Sequence, residues 1–516
     1  MAKKNISVLF ISPEMYGLPS KMGHLSKIVE RPSGGGMGDM NHLFINGLWD
    51  RGIDVHYMGP NFKGIYQKFA MATKFQTSDD YVNYVYQKNH KNIHLLNAKQ
   101  FDKVNSIYEN SERTNYVLQD IARTGFLRNF VRDHQKVIVV GTDQYSGSTS
   151  AYLKARHIPF VSWIHNVMTH IIHKDSYAYF NFDDQEIAKN IFWHKHEGSN
   201  FIDEHATSIK NADRLIPVSN QFEKELREGT LIGQVGLENS LGTLNEIIYQ
   251  QHKLNAIPNA LPKSALPENQ DHLYQKFNFH SDIINAKLKN KIGFQKASNN
   301  ALEINDDKIL IGWTSRLDEH QKGIKGVIEN IDYVMQGFPE VQIAIIGDDV
   351  TNNNEFINQL KPYIERYKGR LYHDAFSKHK SEQLYAAADI IVGNSKREPF
   401  GLFMLQGVLS GGIIASSAVG GAVDIVEHLD LENLKGNGAL ANDADAGGVR
   451  YALTETINAI KKSKENKEKW NKHLQNSIYN TIQKFSEEKY IDQVIDMLNG
   501  VADEYNYFKQ GYTLIK

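Results

Sequence analysis

Short apolar runs separated by longer amphipathic stretches recur along the whole chain. Ile6-Ser7-Val8-Leu9-Phe10-Ile11 is β-rich and apolar on both faces, the pattern of a central parallel strand, and it stops at Ser12-Pro13-Glu14. A long loop then ends in Ser33-Gly34-Gly35-Gly36-Met37-Gly38-Asp39. After it Met40, Leu43, Phe44, Gly47 and Leu48 recur at helical spacing, and Ile53 to Met58 forms a second strand. This is a strand, glycine loop, helix, strand unit. Further buried strands are predicted at Lys136 to Val140, Pro159 to Ile164 and Arg214 to Val218.

A second set follows a polar, mostly helical stretch containing Pro262 and Pro267. Lys308 to Thr314, Val341 to Ile346, Ile390 to Val392 and Gly412 to Ala415 are again short and apolar, with helices between them. The pattern predicts two doubly wound, nucleotide-binding-like α/β domains facing one another, over residues 1–260 and 261–490. A helical tail over 491–516 is placed to pack back on the first domain. The charge run Lys461 to Lys469 reads as solvated helix.

Composition narrows the function. A chain of 516 residues suits two sizeable domains. Lys+Arg 58 against Asp+Glu 60 leaves a formal charge of -2, which offers no basic field to hold nucleic acid. Zero Cys removes disulfides, thiolate metal sites and cysteine nucleophiles together and suits a reducing compartment, so the cytoplasm is expected. No run approaches the ~18 apolar residues of a membrane span, so no integral membrane association is expected and Ile6 to Ile11 reads as a strand rather than a signal peptide.

Ligands in open α/β sheets sit at the carboxyl ends of the strands. Ser315-Arg316-Leu317 lies at such an end, and Lys322-Gly323 follows where a helix can begin. Two cations there suit a diphosphate leaving group, whose charge grows as its bond breaks. A surface Arg and Lys in an ordinary loop is the alternative. Ser395-Lys396-Arg397-Glu398-Pro399-Phe400-Gly401, directly after Ile390 to Val392, either presents the Glu398 carboxylate into a cleft or forms a cap or a salt bridge with Arg397. Gly420-Gly421 places residues without Cβ at another strand end, where backbone can approach phosphate.

In this order these segments resemble the retaining GT-B glycosyltransferases, and among them bacterial glycogen synthases and plant starch synthases. Ser315 to Gly323 is similar to the family's Ser-Arg-Leu…Gln-Lys-Gly phosphate motif, Ser395 to Gly401 to its Glu-Pro-Cys-Gly motif and Val419 to Asp424 to its Thr-Gly-Gly-Leu-x-Asp motif. Tyr372 to Ser377 resembles the segment following the strand near the nucleotide base. Asn285, Lys287, Asn290, Lys291 and Gln295 follow the pattern that leads into the second domain. Upstream, Ser12-Pro13-Glu14, Gly35 to Asp39, Thr142-Asp143, Ile164-His165-Asn166, Ala212 to Arg214 with Val218-Ser219, and Ile257-Pro258-Asn259 match further landmarks.

The resemblance implies a retaining hexosyltransferase that moves a hexose, glucose first, from ADP- or UDP-glucose to an α-glucan. The acceptor hydroxyl would attack on the face from which the diphosphate leaves. Arg316 and Lys322 would neutralise the departing diphosphate, so that no metal or other cofactor is required. Glu398 would bind donor-sugar hydroxyls, and His165 would line the sugar site with Asp143 and Asn166. Tyr372 would stack on the base, and Gly35, Gly36, Phe400, Gly401, Gly420, Gly421 and Asn259 would complete the donor site. The partners implied are a nucleotide sugar and a carbohydrate acceptor. Alternatives are the same fold acting on a protein, lipid or small-molecule acceptor, and a catalytically weak scaffold that binds glucan or nucleotide sugar.

The chain departs from the family pattern at several points. The family's Lys before the glycine loop is Ser33, its Cys after Glu-Pro is Phe400, its first Thr of Thr-Gly-Gly is Val419, and the second Glu of related enzymes is Gln406. The insertion Ser20 to Pro32 brings Lys21, Lys27 and Arg31 into the same loop as Ser33. Asp443-Ala444-Asp445 matches a DxD metal pattern but precedes a helical Val449 to Ile460, which points to capping. His165, His170 and His173 lack a carboxylate at zincin spacing.

Overall fold

The computed structural model describes residues 6–14, 36–60, 62, 76–77, 81–86, 91–96, 98–101, 104, 110–122, 126–134, 136–178, 180–194 and 200–505. The chain divides into two compact units. One comprises Met1–Val218, Glu223–Pro258 and Glu487–Lys516, the other Ser219–Phe222 and Asn259–Ser486.

The strands of the first unit, in chain order, are β1 (Ser7–Ile11), β2 (Asp54–Pro60), β3 (Gln76–Thr77), β4 (Tyr81–Tyr86), β5 (Lys91–Leu96), β6 (Val137–Thr142), β7 (Phe160–Ile164), β8 (Ile171–His173), β9 (Phe201–Asp203) and β10 (Arg214–Pro217). Eight of them form one sheet, ordered β10-β7-β6-β1-β2-β5-β4-β3. The six from β10 to β5 run parallel, and β4 and β3 add antiparallel at one edge. β8 and β9 pair separately. Strand order reverses between β1 and β6, because successive crossovers leave β1 toward opposite edges.

The predicted apolar runs are five of the six parallel strands of this sheet, β1, β2, β6, β7 and the edge strand β10. β3, β4, β5, β8 and β9 carried no such run. The helix Gly36–Asp50 buries Met40, Leu43, Phe44 and Leu48, the spacing read from the sequence. Phe44 meets Phe10 of β1 at 4.7 Å between ring centroids and Trp163 of β7 edge-on at 5.3 Å. Trp163 in turn meets Tyr490.

The C-terminal helix Glu487–Glu504 is therefore part of the first core. A Cβ on Gly47 would fall 2.2 Å from Ile491 Cδ1, so its absence leaves room for the Ile491 side chain against Gly36–Asp50. Tyr490 and Ile491 are buried here, and the first unit takes in the chain from Glu487 onward. Residues 506–516 lie outside the described residues.

The second unit contains β11 (Ile309–Trp313), β12 (Val341–Ile346), β13 (Leu371–Asp374), β14 (Ile390–Val392), β15 (Ile413–Ser417) and β16 (Gly438–Ala441). They form one parallel sheet ordered β13-β12-β11-β14-β15-β16, which reverses between β11 and β14. The helix Ile283–Ala297 contains the polar residues that follow the family pattern, and most of them serve the core. Lys287 donates to the Ser410 carbonyl at 3.0 Å, and burial lowers its pKa to about 7. Lys291 pairs with Asp389 at 2.6 Å, and Gln295 donates to Gln342 at 2.8 Å. Charge and amide groups this deep are retained only because each finds a partner.

Candidate functional site

The second unit places its chemistry where its strand order reverses. The loop after β11 carries Arg316 and Lys322, and the loop after β14 carries Glu398. Lys322 Nζ lies 2.5 Å from Glu398 Oε2, with side-chain exposures of 12% and 8%. Ser395 Oγ donates to the same carboxylate oxygen at 2.8 Å. An ammonium and a hydroxyl thus converge on one oxygen, fixing the plane of the carboxylate. Arg316 is 47% exposed, pairs with Asp318 at 3.1 Å and bonds to Gln321. The Asp318 carboxylate also accepts the backbone N–H groups of His320 and Gln321, so it holds the whole turn.

Glycines let these loops close on one another. Gly323 has φ +64, and a Cβ there would fall 2.3 Å from the Asn394 carbonyl oxygen. Gly401 has φ +97 and precedes the helix Leu402–Leu409. Gly421 donates its N–H to the Glu398 carbonyl at 2.9 Å, and a Cβ on Gly421 would fall 2.0 Å from Phe400 O. The backbone that Gly420 and Gly421 approach is that of Glu398 to Phe400, so both glycines let the loop after β15 seat against the loop that carries the carboxylate.

The Phe400 ring is buried and meets Phe485 edge-on at 5.6 Å, so it is a core contact. Tyr372 lies within β13, not after it. Its hydroxyl donates to Asp374 at 2.7 Å and its ring meets Phe294 of the helix Ile283–Ala297. The aromatic ring at the carboxyl end of β13 is Phe376, half exposed, with its N–H on Asp348 at 3.0 Å. Its position after a strand was the available signal, obscured because half-polar β13 did not read as a strand. Asn259 is buried, and its Oδ1 has no partner among the described residues.

The first unit repeats the arrangement where its own strand order reverses. Glu14 follows β1, Asp143 follows β6, and His165 and Asn166 follow β7. Asp143 takes a left-handed φ of 44, and its Oδ1 accepts the N–H groups of His165 at 2.7 Å and Asn166 at 3.1 Å. Asn41 donates to Ser12 Oγ and to the Glu14 carbonyl, holding the turn after β1. Gly36 opens its helix on the exposed side, whereas Gly35, Ser33 and the insertion Ser20 to Pro32 lie outside the described residues. Burial lowers the His165 pKa to about 3, so its ring is neutral and acts as a hydrogen-bonding group rather than a cation.

Burial pushes the Asp143 carboxyl up to about 7, with Glu14 adding to the rise and the two N–H bonds opposing it. In the unfolded chain the group titrates near 3.8. Between these values the folded protein holds a proton that the unfolded chain has lost, so this contribution to stability is full below about 4 and fades as pH rises to 7. Asn keeps an acceptor for both N–H groups. Asp143→Asn should therefore gain stability relative to wild type between pH 4 and pH 8, by at most ~4 kcal/mol, read as urea midpoints. A gap between the two proteins that does not change with pH would contradict this.

Among the signals set aside, Asp445 accepts the Gly448 N–H at 2.8 Å and caps the helix Ala446–Ser463. No helix among the described residues is long and apolar enough to cross a membrane.

Residues 7–243 match the starch synthase catalytic domain, and residues 294–477 match the glycosyl transferases of group 1. Starch synthase 2, chloroplastic/amyloplastic, of Arabidopsis thaliana is 30% identical over 275 residues, which is 51% of this chain and 32% of that protein. A glycogen synthase of Pseudothermotoga lettingae is 26% identical over 358 residues, 66% of this chain and 67% of that one. The match thus spans about a third of the plant protein's length. Among solved structures, the catalytic domain of Starch Synthase IV from Arabidopsis thaliana, bound to ADP and acarbose, superposes with a TM-score of 0.76 at 16% identity, covering 99% of this chain and 100% of that one.

Proposed function

This chain is a glycogen synthase-like protein of the GT-B fold, and from that premise we propose that it is a retaining hexosyltransferase moving glucose from a nucleotide sugar to an α-glucan hydroxyl. The observation that carries the reading is the Lys322–Glu398 pair, tied to Ser395 where the strand order of the second sheet reverses. Arg316 and Lys322 take the charge that develops on the diphosphate as the anomeric carbon–oxygen bond breaks. Glu398, held by Lys322 and Ser395, accepts hydrogen bonds from donor-sugar hydroxyls. The acceptor oxygen bonds to the same carbon on the same face, and its proton passes to the departing phosphate.

Phe376 takes the base-stacking part assigned at first to Tyr372, supported by its exposure at the end of β13. Asp143 orients His165 and Asn166 through their backbone, and neutral His165 exchanges hydrogen bonds with sugar hydroxyls.

Incubation with ADP-, UDP- and GDP-glucose, with and without maltooligosaccharides, followed by mass spectrometry of products, tests the reading. Elongated oligosaccharide is expected with ADP- or UDP-glucose. No glucan product from any donor would remove the proposal. Because two side-chain cations face the leaving group, turnover at saturating donor should stay within about twofold when a chelator replaces added magnesium. Loss of activity in chelator, restored by magnesium, would show that Arg316 and Lys322 do not suffice.

A further inference from the structure

At the opposite ends of the strands from Asp143 and His165, β2 opens with Asp54 and carries His56 two residues on, on the same strand face. His134 follows the helix Leu127–Asp133 and leads into β6. One ligand-competent atom from each of these side chains lies within 4.8 Å of the other two. This is the only such convergence of His, Cys, Asp and Glu among the described residues.

The second polar atom of each side chain is already engaged. Ser7 Oγ donates to Asp54 Oδ2 at 2.6 Å. His56 Nδ1 lies 2.9 Å from His94 Nε2, and His134 Nδ1 donates to the Phe130 carbonyl at 2.7 Å. Each side chain brings one ligand atom toward the other two, and His56 Nε2 already pairs with Asp54 Oδ1 at 3.2 Å. An imidazole whose other nitrogen is pinned by a hydrogen-bond partner is how metal-ligating histidines have ring and tautomer fixed.

Aromatic rings wall the cluster. Phe130 stacks on His134 at 4.2 Å and meets His56 edge-on at 4.8 Å.

We infer that Asp54, His56 and His134 form a three-ligand site for a divalent transition metal of the zinc class, with a further coordination position left to water. Two imidazoles and one carboxylate suit zinc, cobalt or nickel, whereas magnesium and calcium take oxygen ligands. Tetrahedral zinc at about 2.0–2.1 Å from each ligand spaces them roughly 3.3 Å apart, which the Asp54–His56 pair already meets. The half-buried His134 ring, just beyond its helix, supplies the third ligand. The ion would clamp the start of β2 to the segment entering β6. It takes no part in the transfer reaction proposed above, which occupies the other ends of the strands.

The full chain, stripped with chelator and freed of any tag, is titrated with Co²⁺ and with Zn²⁺ in the presence of millimolar Mg²⁺. One ion per chain is expected, with the visible absorption of four-coordinate cobalt that zinc displaces. Asp54→Asn and His134→Gln should each weaken binding at least tenfold while keeping the wild-type circular dichroism spectrum. Zn²⁺ should raise the Tm of wild type but not of His134→Gln. The chain has 21 His, so surface binding is the competing outcome. Affinity unchanged in both variants, or no four-coordinate cobalt spectrum, overturns the assignment.

Discussion

Arg316→Ala and Lys322→Ala should each lower turnover by about 10²–10³ with little change in acceptor KM. The charge they meet is full only as the diphosphate departs, and donors aimed at such charge act on the chemical step. The two positions differ in what else they do. Arg316 is nearly half exposed and its replacement leaves the fold alone. Removing Lys322 strands the Glu398 carboxylate, which is 8% exposed, and an unpaired buried charge is destabilising. The double variant Lys322→Ala/Glu398→Gln separates the effects. It should recover thermal stability relative to Lys322→Ala and recover none of the turnover. Near-wild-type turnover in both single variants would remove both residues from the reaction.

Gly420→Ala should destabilise the second unit by about 3–5 kcal/mol and abolish measurable turnover in whatever folds. Its φ of 45 and ψ of −135 are tolerated by glycine and strained for any residue with a Cβ. That Cβ would also fall 1.9 Å from the Glu398 carbonyl oxygen, a rigid backbone atom. Relief requires the loops after β14 and β15 to part, which moves Glu398 away from Lys322. Urea midpoints measure the first effect and donor hydrolysis the second. A variant with wild-type midpoint and rate would mean that the two loops do not touch as described.

Legibility in the sequence followed burial. β1, β6, β11 and β12 were readable because strands covered on both faces are apolar throughout. β13, Leu371-Tyr372-His373-Asp374, is an edge strand with only its first residue buried, so nothing in its polarity announced it. Tyr372 was consequently set one element too late and Phe376 went unnoticed. The charged residues after β11 and β14 could be singled out because strand ends are where α/β sheets take ligands. Their partnership could not, since Lys322 and Glu398 are far apart in sequence and meet only through the order of the strands. The glycines were visible, but their use was not. A missing Cβ allows close approach to phosphate or to backbone alike, and only coordinates distinguish Gly421 beside Phe400 from Gly421 beside a ligand. The cluster at Asp54, His56 and His134 was equally hidden, because it spans a strand and the end of a distant helix.

The helix Glu487–Glu504 also sets the order in which this protein can mature on the ribosome. Trp163 and Gly47 are made early, yet the residues that cover them, Tyr490 and Ile491, are made hundreds of codons later. At about 5–20 residues per second, the sheet of the first unit waits tens of seconds with that face bare. Meanwhile the second unit, contained within Ser219–Phe222 and Asn259–Ser486, has all of its sequence first. Vectorial synthesis is thus inverted here. The amino-terminal unit is the last to be completed, and it is the one exposed to chaperones and proteases in the interval.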